Sequence, residues 1–178
     1  MNRNNRINRR NKQQGLTLIE ALVWIILSIL VIAGAAAGIA KAFGANETRT
    51  EADHITSIIV STKTLRSSGG YGASGTDLVP ALIATNAIPK TMTVVSGVPK
   101  NAWDGTVTVA STGPGFTITY PTVPQAACIE LATKISRGGA VTTKIGTGTA
   151  IVGEVPTATA TTQCASPSAN SLAFTVTN

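Results

Sequence analysis

The chain has 178 residues, of which 12% are charged and 4% aromatic, and its 14 Lys/Arg against 8 Asp/Glu give a formal net charge of +6. Arg3, Arg6, Arg9, Arg10 and Lys12 all precede Gly15, leaving nearly balanced charge beyond it; the basic excess is a leader, not the basic face of a nucleic-acid-binding domain. A single histidine, two cysteines and the absence of Walker A, H-E-x-x-H and EF-hand spacings exclude the commoner catalytic and metal-binding designs, and the length suits one modest domain plus an anchor.

The first element is an apolar run. Leu16 to Ala40 spans 25 residues with one charge, Glu20, and as a helix it would measure about 37 Å, enough to cross a bilayer core. A carboxylate in such a run is a candidate for function. The next basic residue after Glu20 is Lys41. A cut between Gly15 and Leu16 would instead set an α-amine one helical turn from Glu20, at a helix N-terminus that already favours an anion. The leader's Lys/Arg residues predict a cytoplasmic N-terminus with the rest of the chain outside. The alternative is an ordinary signal peptide, with Ala33-Gly34-Ala35 or Ala35-Ala36-Ala37 as its cleavage site. The length of the run and the position of Glu20 favour the cut after Gly15.

Gly15-Leu16-Thr17-Leu18-Ile19-Glu20, behind a short basic leader and ahead of an apolar helix, resembles the prepilin-peptidase site of type IV pilins. The resemblance implies cleavage after Gly15, methylation of Leu16, and a role in assembly for Glu20, the fifth residue of the mature chain. It also implies a division into leader 1–15, transmembrane and polymerisation helix 16–43, and extracytoplasmic globular domain 44–178. The implied partners are other copies of the chain in a helical homopolymer, a prepilin peptidase, an assembly platform protein and ATPase, a secretin, and the inner membrane before assembly. No cofactor is implied, and nucleic acid is not expected as a primary ligand.

Between Glu47 and Arg66 an apolar stripe of Ala52, Ile55, Ile58, Ile59, Thr62 and Leu65 opposes a charged face, which predicts one helix running from Leu16 to near Ser67. Gly34, Gly38 and Gly44 weaken it locally. His54, beside Asp53, is expected at a solvated or interface position rather than as a general base. Ser67 to Gly75 is a loop; its Gly70, Gly72 and Gly75 match G-x-G-x-x-G formally but follow a helix, where a dinucleotide fingerprint must follow a strand. Thr76 or Asp77 then caps a short helix over Leu78–Thr85, bounded by Pro89.

From Thr91 the period becomes two. Met92–Val95, Thr106–Ala110 and Phe116–Tyr120 read as antiparallel strands separated by Gly97-Val98-Pro99 and Gly113-Pro114-Gly115. Lys100-Asn101-Ala102-Trp103-Asp104-Gly105 is similar to the Asn-x-Trp-Gly-Gly turn of many pilins, with Asp104 replacing the first Gly and Trp103 as a packing residue. Helical spacing returns over Pro124–Ser136, followed by short β candidates at Val141–Ile145, Ala150–Val155 and Leu172–Val176. Thr142–Thr149 and Thr157–Ser171 read as solvated, Thr/Ser-rich loop, open to glycan decoration. Cys128 and Cys164 are the only cysteines; an extracytoplasmic compartment would oxidise them to a bridge rather than leave two thiols, stabilising the fold by roughly 4 kcal/mol in the chain-entropy picture. Asp77, Asp104, Glu130 and Glu154 are too scattered to form a calcium loop.

The expected fold class is α+β, a long N-terminal helix packed by its second half on a C-terminal antiparallel sheet. Leu16 at the cut, and the order Phe116–Tyr120, Val123-Pro124, Cys128-Ile129-Glu130-Leu131-Ala132, resemble the type IVb branch of the pilins, including thin-pilus subunits of conjugative plasmids. That resemblance implies a filament subunit used in adhesion, aggregation or conjugation, not an enzyme, whose disulfide-closed region 128–164 faces outward. The alternatives are a minor pilin or type II secretion pseudopilin and, from another class, a secreted enzyme or binding domain behind a signal peptide.

Overall fold

The computed structural model describes residues 18–138 and 141–177, with backbone alone for 32–43. Helix α1 runs Leu18–Thr64, and the chain divides into two compact units with the boundary after Lys41.

In the first unit the large apolar side chains from Leu18 to Val31 all stand exposed, with Leu18 at 82% and Trp24 at 65%. Among the described residues no helix is long and apolar enough to cross a membrane. Only part of the expected transmembrane segment 16–43 is described at the level of side chains.

The second unit takes up α1 from Ala42. Here the stripe read from the sequence faces inward: Ala52, Ile55, Ile58 and Thr62 are buried, while Ile59 packs partly buried against the same core. The opposite face is not the only charged one, because Glu51 and His54 are buried beside the stripe. The helix ends at Thr64 rather than near Ser67, its last turn tightening through Leu65 N–H to the Thr62 carbonyl at 3.0 Å.

After a Gly-rich loop comes α2, Val79–Ala84. Leu78, not Thr76 or Asp77, holds the N-cap position; Asp77 precedes it and its Oδ1 accepts the Val79 amide at 2.9 Å, a local turn leading into the helix. Strands β1 (Thr93–Val95) and β2 (Val98–Lys100) pair antiparallel as a separate two-stranded sheet. Val98-Pro99, expected as a spacer, is thus strand. Ser96 and Gly97, with φ of 51° and 78°, form the two-residue turn whose left-handed residues match the twist of a hairpin.

The main sheet holds β3 (Thr108–Ser111), β4 (Phe116–Val123), β5 (Val141–Ile145), β6 (Ile151–Val152) and β7 (Asn170–Val176) in the order β3-β4-β7-β5-β6, every pairing antiparallel. The last strand in sequence sits in the middle. Its residues alternate strictly between buried and half-buried, putting Leu172, Phe174 and Val176 into the core. Helix α3 (Gln125–Ser136) buries Ala127, Cys128, Leu131, Ala132 and Ile135 at helical spacing.

Two expectations fail in the C-terminal third. The strand expected over Ala150–Val155 shrinks to β6, ended by Gly153 at φ 80°. The loop expected over Thr157–Ser171 contains α4, Thr157–Gln163, and the first residues of β7. Threonine is a weak helix former, which hides α4 in the sequence; Thr161 and Thr162 return their hydroxyls to the carbonyls of Thr157 and Ala158.

Candidate functional site

Of the residues singled out for processing and assembly, Gly15 and Leu16 lie outside the described residues. Glu20 lies in the first turn of α1 and is exposed. Its neighbours Leu18, Ile19, Leu22 and Val23 are exposed too, so this carboxylate sits on a helix surface whose described apolar side chains face outward.

Cys128 and Cys164 form a disulfide across 36 residues with their Cα atoms 6.0 Å apart. Both are fully buried. The bridge joins the first turns of α3 to the residue that closes α4, so it holds down the short helix that propensity alone would not keep.

The Asn101–Gly105 turn is the best organised polar site outside the helices. Asn101 is buried, and its Oδ1 accepts the amides of Trp103 and Gly105 at 3.1 and 2.7 Å while its Nδ2 donates to the Pro121 carbonyl at 2.8 Å. Asp104 adopts φ 59°, the left-handed region that glycine favours. A Cβ on Gly105 would run into the Pro121 carbonyl and the Asn101 amide. Trp103 is half-buried against the core, in keeping with its expected packing role.

Sequence reasoning missed the group that docks this turn on α1. Glu51 Oε1 accepts the Ala102 amide at 2.9 Å, and His54 Nδ1 lies 3.4 Å from the same oxygen. His54 Nε2 is 2.7 Å from Thr91 Oγ1. His54 is therefore buried and tied in, not solvated. Nearby, the Tyr120 phenol is pushed well above the usual tyrosine range, first by burial and then by the Glu51 carboxylate. Neither the Tyr120 hydroxyl nor Glu51 Oε2 closes a hydrogen bond of good geometry, so the two act on each other as close electrostatic neighbours. The available signal was the Glu51-x-x-His54 spacing, which puts both side chains on one face of a helix.

This arrangement is structural chemistry: anchoring, bridging and capping. Among the described residues no cluster of three or more His, Cys, Asp or Glu side chains could hold a metal ion.

A family model described as PilS N terminal matches residues 45–177. The chain belongs to the PilS family.

Solved structures agree. The crystal structure of the type IVb pilin from Salmonella typhi is similar at 28% identity and a TM-score of 0.63, over 72% of this chain and 99% of that one. The NMR structure of the type IVb pilin PilS from Salmonella typhi gives 26% and 0.51 over 74% and 96%. TcpA, a type IV pilin from the El Tor biotype of Vibrio cholerae, shares the fold at 14% identity and a TM-score of 0.51, over 73% and 98%. No curated protein sequence matches significantly. The PilS-family chain is thus a structural subunit with the α+β fold of type IVb pilins, not an enzyme. Family membership implies a subunit that polymerises with its own kind into an extracellular pilus filament.

Proposed function

We propose that the chain is made as a membrane-held precursor, cut after Gly15 by a prepilin peptidase, methylated at Leu16, and polymerised into a type IVb pilus that serves adhesion, aggregation or conjugation. In this reading 16–43 spans the inner membrane before assembly and lines the filament core afterwards. Assembly uses a platform protein, an ATPase and a secretin. The supporting observation is the exposed apolar surface of α1 from Leu18 to Val31 around Glu20. Apolar surface of that extent calls for a nonaqueous cover, and bilayer and helix bundle both supply one.

Glu20 on one subunit would pair with the α-amine of Leu16 on the next. The contact is heterologous and does not close, so it propagates a fibre. Burial of apolar helix stabilises every axial offset alike, whereas a carboxylate buried without its counter-charge costs several kcal/mol; the ion pair would select the register. Electron microscopy of sheared surface fibres tests this. Glu20→Ala should leave cleavage intact and abolish or greatly reduce filaments; normal filaments from that variant would contradict the role. A minor pilin would differ in stoichiometry within those filaments, while the disulfide-closed region speaks against a secretion pseudopilin.

A further inference from the structure

The segment from Asn86 to Val95 is anchored at its start, where Ala87 and Ile88 pack half-buried against the core and the Ala87 amide donates to the Leu82 carbonyl at 2.8 Å, and is loosely held beyond that. Between Ile83 and Val98, Met92 is the one buried residue. All three residues of β1 are exposed, and β1 pairs only with β2, itself outside the main sheet. β2 is better fixed, since Pro99 accepts the Val107 amide at 2.9 Å and Lys100 bridges to Thr106. The segment's attachment to α1 is a single side-chain hydrogen bond, His54 Nε2 with Thr91 Oγ1 at 2.7 Å.

Packing is loose on both sides. A cavity of about 180 Å³ lies between α1 and this segment, lined by Glu47, Glu51, His54, Thr91, Thr93 and Lys100 among others. A second, of about 310 Å³, lies along its other flank between Ile83, Ile88, Pro89, Met92 and Val94. The ends carry left-handed residues, Asn86 at φ 53° and the Ser96-Gly97 turn, so the backbone changes direction sharply where a hinge would sit.

We infer that residues 86–95 form a strap that opens locally, with the His54–Thr91 hydrogen bond as its latch; Glu51, fixed by the Ala102 amide, stands 3.4 Å from the ring's other nitrogen, which closes no hydrogen bond. Opening releases Thr91 from His54, strips β1 from β2 and lifts Met92 out of the core, uncovering the Glu51–His54 pair to solvent. Few buried apolar contacts and exposed backbone bonds are the physical marks of a segment that opens below the global unfolding free energy. The fixed side of the device is the Asn101–Gly105 turn, whose bonds to Pro121 and Glu51 stay closed.

Hydrogen exchange on the full-length chain in detergent tests the strap. Amides of 86–95 should exchange well ahead of those in β4 and β7. Thr91→Val, a nearly isosteric change at an exposed position, should raise exchange in 86–95 about three- to tenfold, the effect of losing one hydrogen bond of ordinary net strength, without altering β4 or β7. A Met92→Cys chain should react with a thiol reagent faster when Thr91→Val is added. Unchanged exchange in 86–95, or an equal rise throughout the sheet, would overturn the latch.

Discussion

Asn101 and Pro121, twenty residues apart in sequence, are joined by a hydrogen bond of 2.8 Å from the Asn101 side-chain amide to the Pro121 carbonyl. The bond falls where β4 slips its register against β7 between Tyr120 and Val123, and where Thr122 adopts φ 62°. A β-branched residue in that region is strained and persists only when its surroundings over-determine it. Asn101 does so from one side and Asn170, whose Nδ2 donates to the Val123 carbonyl at 3.0 Å, from the other.

Asn101→Ala removes one donated and two accepted bonds at a buried site. At about 1 kcal/mol per bond, chemical denaturation should show a loss of about 2–4 kcal/mol.

The two residues at the glycine positions of the turn should respond unequally. Gly105→Ala forces a methyl group against backbone and a buried amide and should cost about 2–3 kcal/mol, as overpacking does. Asp104→Gly suits the φ of 59° but frees the unfolded chain and loses an exposed contact to Lys100; it should stay within about 1 kcal/mol of wild type. Thermal unfolding of the two variants separates them.

Tyr120 makes stability pH-dependent in the alkaline range. Its folded phenol is raised above the ordinary value of 10.0, so above about pH 10 the unfolded state gives up a proton that the folded state keeps, and stability falls by up to about 1.4 kcal/mol per pH unit. Below pH 10 both states are neutral and the effect vanishes. Tyr120→Phe should remove this slope between pH 10 and 11. It should also be neutral or slightly stabilising at pH 7, since it deletes a buried hydroxyl without a good partner.

Replacing Cys128 and Cys164 together by Ala should cost about 2–5 kcal/mol. Because both sulfurs are buried, the native bridge should resist a mild reductant until denaturant is added, as thiol counting would show.

The sequence was most legible where one period dominated. The α1 stripe from Ala52 to Thr62, the alternation of Phe116–Tyr120 and Leu172–Val176, and the helical spacing of α3 each declare a buried face, and the structure uses each one. What stayed hidden depends on tertiary partners. α4 is Thr-rich and is kept by a disulfide from another helix; β2 contains a proline that an isolated reading takes as a breaker; the burial of Glu51 and His54 is hidden because their partners, Ala102 and Thr91, lie far along the chain. The resemblance at Gly15–Glu20 pointed to the family through residues half of which lie outside the described structure, whereas the family match itself rests on 45–177.

We propose that this subunit enters its filament with Leu16 as its first residue. Intact mass and N-terminal sequencing of the subunit from sheared surface filaments test it most directly. A chain beginning at N-methylated Leu16 and lacking the basic leader is the expected result; a mature chain beginning near Gly38, or one retaining Arg3 to Lys12, would refute the cut after Gly15.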